Sequence, residues 1–166
     1  SGLDDLEQAV FGDLYKLYPR ITRVGDVHTR TDEATGDFEV SGQFELPEFF
    51  AFEDTKATFT VMASGTMALP SPQVVKRSQP LALPYPLHAR HYIRVQMPEH
   101  VKPVQTDKPL TLRSAEYEFR RELQSQANVI TLDSQLQVLR DEVPGRSVAE
   151  FAKRQRELRE QMVVSA

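Results

Sequence analysis

The chain has 166 residues, 40% apolar and 27% charged, a composition that folds rather than stays disordered and a length within the range of one domain. Its 20 lysines and arginines against 24 aspartates and glutamates leave a net charge of −4, without the basic footprint of a nucleic-acid binder. Absence of cysteine excludes a disulfide framework, a thiolate metal site and a cysteine nucleophile within the chain, and no apolar run approaches the roughly 20 residues that cross a bilayer.

Leu3, Leu6, Val10, Leu14 and Leu17 recur at spacings of three and four, which predicts an amphipathic helix ended by Pro19. Asp4 and Asp5 fall in its first turn, where the helix dipole favours negative charge. "ITRVGDVHTR" and "FEVSGQFEL" then flank the polar "TDEATGD", with Gly36-Asp37 turn chemistry, and predict a hairpin. In its second strand Phe38, Val40, Phe44 and Leu46 share one face with Gly42, opposite Glu39, Ser41, Gln43 and Glu45. Residues 47–75 are less periodic. "PEFFAFED" clusters aromatics, "KATFTVMA" fits a strand with Phe59, Val61 and Ala63 inward, and "GTMALPSPQVV" fits a connection or a short helix.

In "RSQPLALPYPLHARHYIRV" Pro80, Pro84 and Pro86 each fix φ and remove a backbone donor, so the segment reads as a braced connection. The strand "HARHYIRVQMP" follows, with Ala89, His91, Ile93 and Val95 on one face and His88, Arg90, Tyr92 and Arg94 on the other. Pro98 and Pro103 bracket a turn-rich piece, "PLTLRS" gives a short strand, and "AEYEFRREL" and "VITLDSQLQVL" predict a second hairpin around "QSQAN". There Tyr117, Phe119 and Leu123 share a face, as do Ile130, Leu132 and Leu136 on the returning strand. "SVAE" matches a capping box, Ser147 at the N-cap and Glu150 at N3, for a last helix with the stripe Val148, Phe151, Leu158 and Met162. The order predicts an α+β, mainly β fold: an antiparallel sheet or β-sandwich flanked by an N-terminal and a C-terminal helix. It is read as a single domain over 1–166, a fragment of a larger multidomain protein.

The titratable residues assemble no recognised chemistry. His88 and His91 are three apart, which in a strand sends them to opposite faces, so no metal site is expected. His91 belongs at the rim of the core and His88 in solvent, while His28 and His100 read as surface residues. G-x-S-x-G, the P-loop and G-x-G-x-x-G are all missing from the sequence, so no catalytic residue and no cofactor is assigned. Asp32-Glu33 and Glu53-Asp54 read as polar loop residues. Arg154, Arg156 and Arg159 interleave with Glu157 and Glu160 as on a solvated helix face. The residues chosen as an interaction surface are Arg77, Tyr85 and Arg90, exposed polar groups beside the braced connection.

Arg77, Pro80, Leu81, Leu83, Pro84 and Pro86 form an "R-x-x-P-L-x-L-P-x-P" pattern. It resembles the start of the β-rich domain that follows the catalytic core in bacterial transglutaminase-like proteins with a large N-terminal β-rich domain. Upstream, "LYKLYPRITRVGDVHTRTDEATGDFEVSGQFELPEFF" is similar to that domain's helix–"YP"–strand–strand succession. Downstream, "IRVQMPEHV", the final hairpin and Asp141, Val143 and Phe151 continue the likeness. The resemblance implies a non-catalytic accessory domain, detached from a papain-like core that would supply a Cys-His-Asp constellation. It implies a partner in that core or in another protein, and a periplasmic or cell-envelope location if the parent is exported, with the cytoplasm left open. The other reading of the residues is an independent protein- or peptide-binding module.

Overall fold

In the computed structural model, residues 2–47, 49, 51–53, 56–58, 60–62, 68–73, 75–99 and 108–165 are described. They form a mainly β, α+β protein of antiparallel sheets with an N-terminal and a C-terminal helix. The chain divides into two compact units, Ser1–Phe59 and Thr60–Ala166.

In the first unit, helix α1 (Gly2–Leu17) runs to the predicted proline, and a hairpin follows from β1 (Thr22–Thr31) and β2 (Phe38–Glu45). Two short strands, β3 (Ala51–Glu53) and β4 (Lys56–Thr58), pair with each other. The hairpin turn is set by Asp32, whose carboxylate accepts the backbone N–H groups of Ala34 at 2.9 Å and Thr35 at 3.3 Å. Gly36 then takes the left-handed conformation, φ 75°. A bulge interrupts the register between Val24 and His28, where Gly25 is also left-handed.

The helix meets the hairpin through a face that the leucine spacing did not announce. Phe11 and Tyr15 pack edge-on against Phe44, with ring centroids 5.1 and 5.9 Å apart. Gly42 makes room for this: a β-carbon there would stand 3.2 and 3.3 Å from the Phe44 ring and 3.4 Å from that of Phe11. One turn before Phe11, Glu7 accepts hydrogen bonds from the Tyr15 hydroxyl at 2.5 Å and from Arg23 of β1 at 2.6 Å. Val10 and Leu17, placed on the apolar stripe, are exposed instead. Phe38, placed on the inner face of β2, is 58% exposed, whereas Val40, Gly42, Phe44 and Leu46 are half-buried as expected.

The second unit is built on a four-stranded antiparallel sheet in the order β7-β10-β9-β8, with β7 (Leu87–Gln96), β8 (Leu110–Arg113), β9 (Tyr117–Gln126) and β10 (Val129–Val138). Strands β9 and β10 form the predicted hairpin, but it turns in two residues, Ala127 and Asn128, with Ala127 at φ 52°. "KATFTVMA" is divided between the units. Its second half gives β5 (Thr60–Met62), which pairs with β12 (Val163–Ser165); Phe59 and Ala63 lie outside the described residues. The described part of "GTMALPSPQVV" is a connection, in which Leu69 is buried.

Alternation at period two sorts the sheet into faces. Inward lie Tyr117, Phe119 and Leu123 with Ile130, Leu132, Leu136 and Val138, all buried. Helix α2 (Val148–Met162) contributes Val148, Phe151, Ala152, Leu158 and Met162, spaced for one helical face, to the same core. Tyr117 and Phe151 meet edge to face at 6.5 Å. Phe151 is fully buried, which contributes about 2 to 3 kcal/mol by area. Polar contacts fix the helix at its middle and near its C-terminal end. Arg154 donates to Glu116, whose side chain is 4% exposed, at 3.0 Å, and Arg121 of β9 donates to the Gln161 carbonyl at 2.7 Å. The arginine read as part of a solvated face therefore neutralises a buried carboxylate; Arg156, Arg159, Glu157 and Glu160 remain exposed.

The capping box does not form. Ser147 closes a 3-10 turn (Gly145–Ser147) and its N–H bonds to the Pro144 carbonyl at 2.8 Å, while Glu150 approaches Arg154 at 3.9 Å. The chain enters α2 from this 3-10 turn, so Ser147 is already part of a turn and does not stand as an extended N-cap.

The proline segment is strapped to the stretch before α2. Strand β6 (Leu81–Ala82) pairs with β11 (Glu142–Val143), and the Leu83 N–H donates to the Asp141 carbonyl at 2.8 Å. Leu83 and Val143 are buried there. Pro80 and Pro84 flank β6, so the strand is limited to the residues that keep their donors. Gly145 closes the strap: a β-carbon on it would lie 2.6 Å from the Ser78 carbonyl oxygen and 2.7 Å from that of Arg77.

Candidate binding surface on the outer sheet face

The outer face of the four-stranded sheet carries His88, Arg90, Tyr92, Arg94 and Gln96 from β7, and all five are exposed. The alternation predicted for "HARHYIRV" is the one observed, and H-x-x-H diverges: His88 points outward while His91 lies on the half-buried inner face. Burial lowers the pKa of His91 below its ordinary 6.5 and keeps the ring neutral. Its register neighbour on β10 is Ser134, whose own neighbour on β9 is Arg121, so a polar row crosses the inner face. The fully buried Ser134 hydroxyl has no hydrogen-bond partner among the described residues.

Antiparallel register determines which outer side chains meet. Arg90 stands beside Gln135 and Tyr92 beside Asp133, which lets Arg90 reach diagonally and grip Asp133 with two bonds, 3.0 and 2.7 Å. Its guanidinium also stands 5.8 Å from the Tyr92 ring centroid. Thus Arg90 is clamped, and Tyr92 is held open beside it at 54% exposure. His88 bonds to Gln135 at 3.3 Å. Further across the sheet Glu118 takes Arg120 at 2.7 Å and Arg113 at 2.9 Å. Arg94 makes no ion pair or hydrogen bond among the described residues.

Of the three residues chosen from sequence, two join this surface. Tyr85, in a cis bond to Pro86, is 52% exposed and lines a shallow groove of about 300 Å³ with Pro86, His88, Gln137 and Leu139. His88 at the groove bonds to Gln135, the register neighbour of Arg90. Arg77 does not join it, because its guanidinium donates to the carbonyls of Gln79 at 2.9 Å and Pro80 at 3.0 Å and fixes the loop. Tyr92 and Arg94, which the alternation puts on this face, belong to the surface as well; a tyrosine flanked at two residues on either side by arginines is their signal in the sequence.

Among the described residues no group of three or more histidines and carboxylates could hold a metal ion, and no helix is long and apolar enough to cross a membrane. His100 and Asp54 lie outside the described residues. No family model, curated protein or solved structure matches the chain.

Proposed function

We propose that this chain is a non-catalytic accessory unit of a bacterial transglutaminase-like or protease-like protein, and that it docks a partner on the outer face of its four-stranded sheet. The observation that carries the reading is Tyr92, left open on a polar sheet face beside the clamped Arg90. An immobile arginine and an exposed aromatic lose little side-chain entropy on binding, which suits them to anchor an interface. The resemblance supplies the partner, the papain-like core, and the periplasmic or cell-envelope location. The two pieces that carry the "R-x-x-P-L-x-L-P-x-P" and "D-x-V" likeness strap to each other, as parts of one unit should.

The test is calorimetric titration of the whole chain with the papain-like core of its parent protein. Binding that Tyr92→Ala weakens by about tenfold is expected. Undetectable binding overturns the reading. So does turnover of a substrate by the chain alone that is lost when residues of a single pocket are replaced.

A further inference from the structure

We propose that the partner of the outer sheet face is a folded protein surface that meets it at two points: a carboxylate set against Arg94, and an apolar side chain seated in the groove beside Tyr85 and Leu139. This rests on the docking reading of the same face and names what the partner must carry. The composition of the face points to protein. Its permanent cations are four exposed arginines, Arg90, Arg94, Arg113 and Arg120, they stand with Tyr92, and the four strands of the sheet contain no lysine. Arginine and tyrosine are enriched at protein interfaces, and lysine is depleted there.

Charge gives the first point. The four arginines share the face with three carboxylates, Glu118, Glu122 and Asp133, so the face is cationic by one while the chain as a whole carries −4. Asp133 holds Arg90, and Glu118 holds both Arg113 and Arg120. Glu122 receives the Gln124 amide. Arg94 is exposed and makes no ion pair among the described residues, so it is where a partner carboxylate meets an uncommitted guanidinium. The groove gives the second point. Tyr85 is 52% and Leu139 40% exposed, and with Pro86 they give it an apolar wall at the end of a largely polar face. An apolar side chain of the partner leaves water there. His88 lines the same groove and is six residues from Arg94 along β7, so the two points stand about 20 Å apart. Size calls for both. Strand spacing makes the sheet face about 15 by 33 Å, roughly 500 Å², short of the roughly 800 Å² that each side of a stable interface contributes. The groove extends the face at its Tyr85 end. A second copy of the chain fits less well, since it would set one cationic face against another.

The experiment titrates the whole chain with the papain-like core of its parent protein, by calorimetry. Arg94→Gln is expected to weaken binding about fivefold, Arg94→Glu about thirtyfold and Leu139→Ser about fivefold. Because the two points are about 20 Å apart, the double variant Arg94→Gln, Leu139→Ser should lose the product of the single losses, about twenty-fivefold. Raising the ionic strength from about 0.1 to about 1 M should weaken binding of the unaltered chain but barely that of Arg94→Gln. Lys153→Gln, which removes an exposed cation of α2, is the control and should leave the affinity unchanged. Arg94 is exposed and makes no internal ion pair, so its replacement leaves the fold in place, as an unchanged thermal unfolding curve checks. Unchanged or tighter binding by Arg94→Glu, or unchanged binding by Leu139→Ser, overturns the inference, as does self-association of the chain that Arg94→Glu abolishes. If the core binds and Tyr92→Ala weakens it while both other positions are silent, this inference falls and the docking reading stands. Undetectable core binding overturns both.

Discussion

Gly145 and Ser78 approach so closely that no side chain fits between them: a β-carbon at 145 would sit 2.6 Å from the Ser78 carbonyl oxygen. The obstacle is backbone held by the β6–β11 pair, so it cannot turn aside as a flexible side chain would. Gly145→Ala is therefore expected to destabilise the second unit by about 2 kcal/mol. Gly12→Ala, in α1 with nothing nearer than the Gln8 side chain at 3.7 Å, should stabilise the first unit by about 0.5 to 1 kcal/mol. Thermal unfolding of the two variants checks the opposite signs, and a neutral Gly145→Ala would refute the close seat.

The pair formed by Arg154 and Glu116 carries a second expectation. Arg154→Leu strands a buried carboxylate and should cost about 3 kcal/mol, at the lower end for buried pairs because the arginine is one-third exposed. Glu116→Gln keeps a hydrogen-bond acceptor and should cost about 1 kcal/mol. Urea unfolding of the single and double variants measures the coupling. Additive losses would mean that the pair contributes nothing as a pair.

These two relationships mark where sequence reading stops. Both hairpins, the faces of β7, β9 and β10, and the α2 stripe were legible because each is a local period of apolar residues. Arg154 looks like its solvated neighbours Arg156 and Arg159, since its partner stands 38 residues away in the turn between β8 and β9. Phe11 and Tyr15 are hidden by a leucine stripe that spacing alone favours, although Phe44 of β2 decides which helix face docks. For the candidate surface, alternation showed that Arg90 and Tyr92 share a face. Only the register of β7 on β10 shows that Asp133 clamps one and leaves the other open.

His91 makes stability depend on pH. Burial holds its pKa below 6.5 in the folded protein, so the unfolded chain binds the proton more readily. The stability it contributes is fully present above about pH 6.5 and is lost as pH falls through the lower folded value. His91→Gln should flatten the fall in urea midpoint across that acid range. An unchanged slope in the variant would assign the effect to other groups.

The strap between Leu81–Ala82 and Glu142–Val143 has a consequence for the order of assembly. The β9–β10 hairpin closes through a two-residue turn, whereas the strap joins segments about sixty residues apart and holds them by only two paired positions. Ring closure over that distance is entropically costly until the hairpin and α2 have brought Asp141 and Gly145 into place. The strap is thus the last joint to latch as the chain condenses and the first to loosen under denaturant, and the rigidity of the Tyr85 loop lasts only as long as that latch holds.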